Sequence, residues 1–405
     1  METELVDGHG LVILEDQVAE FGGMERMLET VLRRFPAATL VAPRFDRPES
    51  GANGSFEARL LRQRAKSNGE SPWRGELRLV GRAAQRRHYL APLYARRLSR
   101  EPLEGAATVL SVGGAAWSLA ADVPPGVPHI AYVGGPPRAL YGHARRYLRE
   151  YPAAVRPLIR GAIPALRLHH RRLLRRPDRV LANSSWSARR LAPLAGRHVG
   201  VLHPPVRTEF FSPARRERRS FLAVSRLRPH KRLDLLVEAF RRLDHELVVA
   251  GGGPWLERMR ATAPPNVSFV GYVDDDVLRE LYRSSRGLVS ASVEEFGLSI
   301  AEAQACGIPA IVPAVGGSAE IVVHGRTGLL LDELSPDAIA DAVQASAMAD
   351  FSTSVCRKAA ERFSEERFLL GLESALTSRT PVGEAPLMIP LEPSGEGATA
   401  AATSG

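Results

Sequence analysis

Short apolar runs alternate with helical patterns along the whole chain. The runs LVILED (11–16), TLVAP (39–43), TVLSV (108–112), HIAYV (129–133) and RVLAN (179–183) are rich in Val, Ile and Leu and predict strands. Between the first two, MERMLETVLRRF (24–35) places its apolar residues at helical spacing. The second half repeats the scheme. Strands are expected at 221–225 (FLAVS), 247–251 (LVVAG), 267–271 (VSFVG), 287–292 (GLVSAS) and 309–313 (PAIVP). Helices are expected at 232–243, 276–285, 338–347 and 365–377. Strand–helix alternation of this kind implies parallel sheets with helices on both faces.

A chain of 405 residues is too long for one ordinary core and suits two domains. The segment HPPVRTEFFSPARRERRS (203–220) lacks periodicity and is rich in Pro and Arg, so the boundary is expected there. The expected organisation is an N-terminal Rossmann-like domain over 1–205 and a C-terminal one over 206–363. A last helix over 364–380 is expected to cross back to the first domain. Residues 381–405 hold Pro, Gly, Ala, Ser and Glu and are expected to be disordered.

Composition narrows the classes. The chain is 44% hydrophobic and 24% charged, as globular proteins are. The opening METELVDGHG lacks the basic-then-apolar pattern of a signal peptide, and no uncharged run is long enough to span a bilayer. Two cysteines, Cys306 and Cys356, without partnering spacing, argue for the cytosol and against a disulfide framework. The net charge of +9 is uneven. Residues 1–210 hold 33 Lys/Arg against 19 Asp/Glu, and 211–405 hold 21 against 26. Within 151–200 there are eleven basic residues and one acid. The stripe LIRGAIPALRLHHRRLLRR (158–176) is basic and amphipathic. It suits either an anionic membrane or a solvated face with an Arg bias. No aromatic platform interleaves the arginines, so nucleic acid is not expected as a partner.

The chemistry concentrates in VEEFGLSIAEAQACGIP (293–309). Glu294 falls just past the end of an expected strand. A Phe-Gly turn follows, and then a helix that carries Glu302. Ligands of open parallel sheets sit beyond the strand carboxyl ends. A helix start there offers free N–H groups to a phosphate, and Gly297 lets that backbone come close. Carboxylates suit sugar hydroxyls. Glu302 has only Ala301, Ala303 and Ala305 around it and no evident salt-bridge partner in the sequence. In SRLRPHKRLDLLVEAF (225–240), Arg226 and Lys231 precede a helix after another strand, where two cations bind a diphosphate well. Gly22 and Gly23 lie between the first strand and the first helix, where a glycine pair lets backbone amides touch a phosphate.

E-x-F-G-x-x-x-x-E at 294–302 and R-x-x-x-x-K at 226–231 resemble the donor site of retaining glycosyltransferases of family 4, which have the GT-B fold. VGGSAEIVVHGRTGLLL (315–331), GGMER (22–26) and LANSSWSARRL (181–191) are similar to the same family. RRHYLAPLY (86–94) and YVGGPPRALYG (132–142) resemble its mannosyltransferase-type branch.

The resemblance implies two Rossmann-like domains facing each other across a cleft. It implies that Glu302 binds the ribose and that Glu294 contacts the donor sugar. Backbone amides around Phe296, Gly297 and Leu298 would hold sugar and phosphate groups. Arg226 and Lys231 would neutralise the diphosphate without a metal, and Gly22 and Gly23 would close on it from the other domain. No cofactor is expected beyond the nucleotide-sugar donor. GDP-mannose is the first expectation and a UDP-sugar the second. The acceptor is expected to be a glycan, a lipid-linked molecule or a small molecule, and the location the cytoplasm, with peripheral membrane contact.

The chain departs from the family on the acceptor side. Gly134 stands where relatives carry a histidine, and Ser118 is aligned with a lysine. A changed acceptor, a changed donor sugar and weakened catalysis are all compatible with that. A GT-B protein that only binds nucleotide sugar, as a partner or sensor, is the alternative. The run VDDDVLREL (273–281) contains the D-x-D of metal-dependent transferases, but its place before a helix favours Asp274, Asp275 and Asp276 as residues that cap and charge a helix start.

Overall fold

The structure, a computed structural model, describes residues 6–15, 23–45, 75–83, 100, 102–113, 117–142, 144–149 and 151–377. The expected disordered tail lies outside the described residues, as do Gly22 and the RRHYLAPLY segment at 86–94.

The first sheet is built from β1 Leu11–Glu15, β2 Thr39–Phe45, β3 Leu77–Ala83, β4 Thr108–Gly113, β5 His129–Val133, β6 Arg179–Ala182 and β7 Gly200–Val201. Its strands are all parallel and run in the order β3-β2-β1-β4-β5-β6-β7. The second holds β8 Ser220–Val224, β9 Leu247–Ala250, β10 Val267–Gly271, β11 Ser285–Val289, β12 Ala310–Pro313 and β13 Gly328–Leu331. It is also parallel, in the order β10-β9-β8-β11-β12-β13. Both sheets thus start at a central strand, grow to one side and then reverse. The reversal falls between β1 and β4 in one and between β8 and β11 in the other. At such a point neighbouring connections leave in opposite directions and a crevice opens at the strand carboxyl ends.

The helices in chain order are α1 Gly23–Arg34, α2 Ala144–Leu148, α3 Arg156–Leu174, α4 Ser185–Ala195, α5 Leu233–Phe240, α6 Leu256–Thr262, α7 Asp275–Ser284, α8 Leu298–Ala305, α9 Pro336–Met348, α10 Thr353–Glu361 and α11 Glu365–Thr377. Local chemistry sets their ends. Ser184 caps α4 by accepting from the Ser187 amide at 3.1 Å, and Gly196 ends it with φ +68°. The expected helix at 232–243 is shorter, because Arg232 takes φ +50° and α5 begins after it. The strand expected at 287–292 is Ser285–Val289, so residues 290–294 are free to leave the sheet towards the crevice. The edge strands β3, β7 and β13 were not among the expected ones. β7 is two residues long, and β3 mixes Leu77 and Leu79 with Arg78 and Arg82.

Two cores result. Leu11, Ile13, Val31, Leu110 and Tyr132 form one under the first sheet. Phe211, Leu222, Tyr282, Ile300 and Phe363 form another in the second unit. The chain crosses between the units twice, and the crossings touch: the Val206 amide donates to the Phe363 carbonyl at 2.8 Å. After the second crossing α11 packs on the first core through Phe368, Leu372, Ala375 and Leu376. The Phe368 ring meets Tyr132 edge-on at 6.2 Å. Arg179 donates to the Ala375 carbonyl at 2.6 Å, and Arg33 pairs with Glu365 at 2.6 Å.

Phe368 is 3% exposed, so Phe368→Ala opens a cavity in the first core although it stands after the second unit. A loss of about 3–4 kcal/mol is expected, read as a lower urea midpoint.

Candidate functional site

The crevice of the second sheet is furnished from two loops. After β8 the chain passes Arg226, which is exposed, and makes a 3-10 turn over Pro229–Lys231. After β11 it passes Glu294 and enters α8 at Gly297. The Lys231 ammonium reaches both Glu294 oxygens, at 2.6 and 2.7 Å. Burial pushes the Glu294 carboxyl up, but Lys231, with help from Arg138, outweighs it and holds the group below its ordinary range. His230, beside Lys231, is driven down to about 4 by burial and by Lys231, Arg138 and Arg146, so it is neutral at physiological pH.

Gly297 precedes α8 with φ +111°, and a Cβ there would lie 2.7 Å from Ile300 Cδ1. Only glycine fits comfortably, and it leaves the helix start without a side chain over it. Phe296 is core: it is 3% exposed and packs on Phe363 and His203 at 5.2 and 5.6 Å. Only its backbone is left for a ligand. Leu298 meets the other unit. A Cβ on Gly23, the first residue of α1, would lie 2.6 Å from Leu298 Cδ1. The glycine therefore permits the close approach of α1 and α8.

Glu302 differs from the sequence reading. It is 6% exposed and has a cation. Arg26 of α1 donates to it at 2.7 Å, and the Tyr282 hydroxyl donates at 2.9 Å. Arg26 also reaches Asp275 at 2.5 Å, and Arg207 holds the other Asp275 oxygen at 2.6 Å. A cross-unit cluster of two arginines and two acids results. The small pocket beside it is lined by Glu29, Thr30, Arg33 and Pro205 with the members of the cluster. Burial raises the Glu302 carboxyl above its ordinary range, against the pull of Arg26 and the Tyr282 hydrogen bond.

The three aspartates at 274–276 divide their work. Asp274 caps α7 by accepting from the Val277 amide at 2.9 Å. Asp276 pairs with Arg279 at 3.0 Å. Asp275 and Asp276 lie in the first turn, where they charge the helix start as expected, and Asp275 in addition joins the units. Among the described residues no group of three or more His, Cys, Asp or Glu is placed to hold a metal ion.

Further cross-unit contacts were not expected. Arg138 forms a bidentate pair with Glu295, the variable residue between Glu294 and Phe296. Glu320 accepts from the Ser185 and Trp186 amides at 2.9 and 2.6 Å, so an acid of the second unit sits at the start of α4. Gly134 has ordinary space around it: a Cβ would lie 3.5 Å from Asn183 Nδ2 and 3.9 Å from Met24 Cε. Neither sterics nor backbone demands glycine there. Ser118 is 1% exposed and donates to the Val112 carbonyl at 3.3 Å. Its hydroxyl is thus held within the first unit, beside β4.

Two facing Rossmann-like units, each with its strand carboxyl ends at a crevice, define the GT-B fold. Solved structures share it across nearly their whole length. Anabaena HepE in complex with UDP and glucose superposes with a TM-score of 0.66, at 16% identity, covering 91% of this chain and 99% of that one. Sucrose-phosphate synthase from Thermosynechococcus elongatus gives 0.67 at 16% identity, covering 90% and 98%. Residues 206–363 match the family described as Glycosyl transferases group 1. Curated relatives agree. A GDP-mannose-dependent alpha-(1-6)-phosphatidylinositol monomannoside mannosyltransferase of Mycobacterium tuberculosis is 35% identical over 233 residues, 49% of this chain. A D-inositol 3-phosphate glycosyltransferase of Kribbella flavida is 34% identical over 218 residues, 45% of this chain. The matched region spans 60% and 51% of the length of these relatives.

Glu302 binds its proton more tightly folded than unfolded. The folded state therefore gains stability as pH falls from neutrality through that raised pKa. Removing Arg26 leaves the buried carboxylate without its nearest cation. Arg26→Met is expected to cost about 3 kcal/mol near pH 7 and clearly less near pH 5, measured by urea denaturation at both.

Proposed function

We propose that the chain is a retaining glycosyltransferase. It moves a sugar from a nucleotide diphosphate donor to an acceptor hydroxyl without a metal. GDP-mannose is the favoured donor, with UDP-sugars second. The observation that carries the reading is the Lys231–Glu294 pair at the β8/β11 reversal, beside a helix start opened by Gly297. A cation, free amides and a carboxylate at one crevice suit a diphosphate joined to a sugar. The mycobacterial relative, GDP-mannose-dependent by name, supports the first donor. Anabaena HepE, solved with UDP and glucose, supports UDP as the second choice.

In this reading Glu302 accepts from the ribose hydroxyls, and the nucleoside lies against α8. Arg26 and the ribose then compete for the same carboxylate, so nucleotide binding loosens the Arg26 contact. Lys231 and Arg226 neutralise the diphosphate, with Gly22 and Gly23 approaching it from the first unit. Backbone amides from 296 to 298 hold phosphate and sugar oxygens. The acceptor oxygen attacks the anomeric carbon on the face from which the phosphate leaves. The bond from that carbon to the phosphate oxygen breaks, and the departing phosphate takes the acceptor's proton. Such a step needs preorganised positive charge more than a protein nucleophile. The acceptor is a glycan, a lipid-linked molecule or a small molecule.

Thermal stabilisation by GDP, UDP, ADP and their sugars, with EDTA present, tests this. A ligand at a hundred times its dissociation constant adds about 2.7 kcal/mol, so one nucleotide class should stand out. Lys231→Ala should weaken diphosphate binding by about tenfold or more and spare the nucleoside monophosphate. Glu302→Gln should weaken both. Absence of any shift in the parent protein, or a shift lost on adding EDTA, would sink the proposal.

A further inference from the structure

The helix α3 carries an apolar surface that the fold does not use. Its inner face is Ile163, His170, Leu173 and Leu174, all buried against the first unit. The opposite face carries Leu158, Gly161, Pro164, Ala165 and Leu168 over three turns, and every one of them is exposed. Leu158 is 77% exposed and Leu168 50%, among the largest exposures of any apolar side chain described. Ala153, Ala154 and Val155, just before the helix, are exposed too. A helix that packs on one side only would place polar residues at these positions. A contiguous apolar stripe in water marks an interaction surface.

The flanks identify the partner. Residues 156–174 contain no Asp or Glu. Arg160, Arg167 and Arg171 follow one edge of the stripe, and Arg172 and Arg175 close its far end; all are exposed. Nineteen residues give a rod of about 28 Å with cations along its side and tip. Guanidinium groups bind phosphate oxygens in a forked geometry, while their stems lie along apolar material. An apolar stripe bordered by arginines and free of acids has the chemistry of a helix lying in a bilayer interface. A second copy of the chain fits poorly, since stacking two stripes brings the arginine rows together.

We propose that the exposed face of α3 docks on an anionic lipid surface, the two leucines entering the acyl boundary and the arginines engaging headgroup phosphates. This stands apart from the donor reading and does not need it. No helix among the described residues is long and apolar enough to cross a membrane, so the contact lies in the plane of the surface.

Vesicle flotation of the whole chain tests it, with phosphatidylcholine alone and with phosphatidylcholine containing phosphatidylglycerol. The parent protein should float with the anionic vesicles only, and raised salt should release it. Leu158→Glu with Leu168→Glu should lower the bound fraction by about tenfold, and so should Arg160→Glu with Arg171→Glu. All four positions are exposed and far in sequence from the donor loops, so each variant should stay folded, with Arg171→Glu giving up a contact to Tyr141. No flotation, equal flotation with neutral vesicles, or flotation unaffected by both variants overturns the proposal. So does a dimer that the leucine variant alone converts to monomer in sedimentation, which would make the face a contact between copies.

Discussion

A parallel sheet sends every strand the same way, so all its carboxyl ends finish at one edge. This chain applies the constraint twice with one strand order. Each sheet reverses direction next to its first strand, and each reversal leaves a crevice at that edge. The loops that end in Lys231 and Glu294 can meet because β8 and β11 are neighbours although their sequences lie far apart. Gly23 and Gly134 reach the same region from the first sheet for the same reason. Little else about the site has to be specified beyond the residue types in those loops.

Electrostatics then joins the two units. Arg26, Arg207, Asp275 and Glu302 form one cluster, and Arg138 with Glu295 another, each with partners on both sides of the cleft or on the crossing segment. Charged contacts across a cleft are directional and can be exchanged for ligand or water without exposing apolar area. A greasy interface of the same size would resist opening. The apolar packing of α11 lies within the first unit, away from the donor loops.

The central strands were legible because Val, Ile and Leu runs such as LVILE and FLAV have few other ways to be buried. Of the edges only β10 was: β7 has two residues and β3 is half arginine and leucine. In the site, Glu294, Lys231 and Gly297 could be read from their places after strands. Partners could not. Arg26 stands 276 positions from Glu302 and Arg138 stands 157 from Glu295, and no local pattern encodes such distances. Arg26 did carry a signal, for it lies one helical turn after Gly23 in GGMER. The second role of Asp275, as a contact between the units, was hidden because capping and charging the helix start explained all three aspartates at once.

The return of α11 to the first unit has a consequence for how the protein is made. The first sheet's core needs Phe368, Leu372 and Leu376, which leave the ribosome only after the whole second unit has been synthesised. At common translation speeds that delay is on the order of ten seconds or more. During it the groove between α1 and the strands beneath stays open, lined by side chains as apolar as Val31 and Tyr132. The second unit has no such wait, since its strands and helices from β8 to α10 are contiguous in the chain. Birth order and folding order are therefore expected to be reversed: the half made first is the half finished last, and it is the one that a trigger-type chaperone would have to shelter.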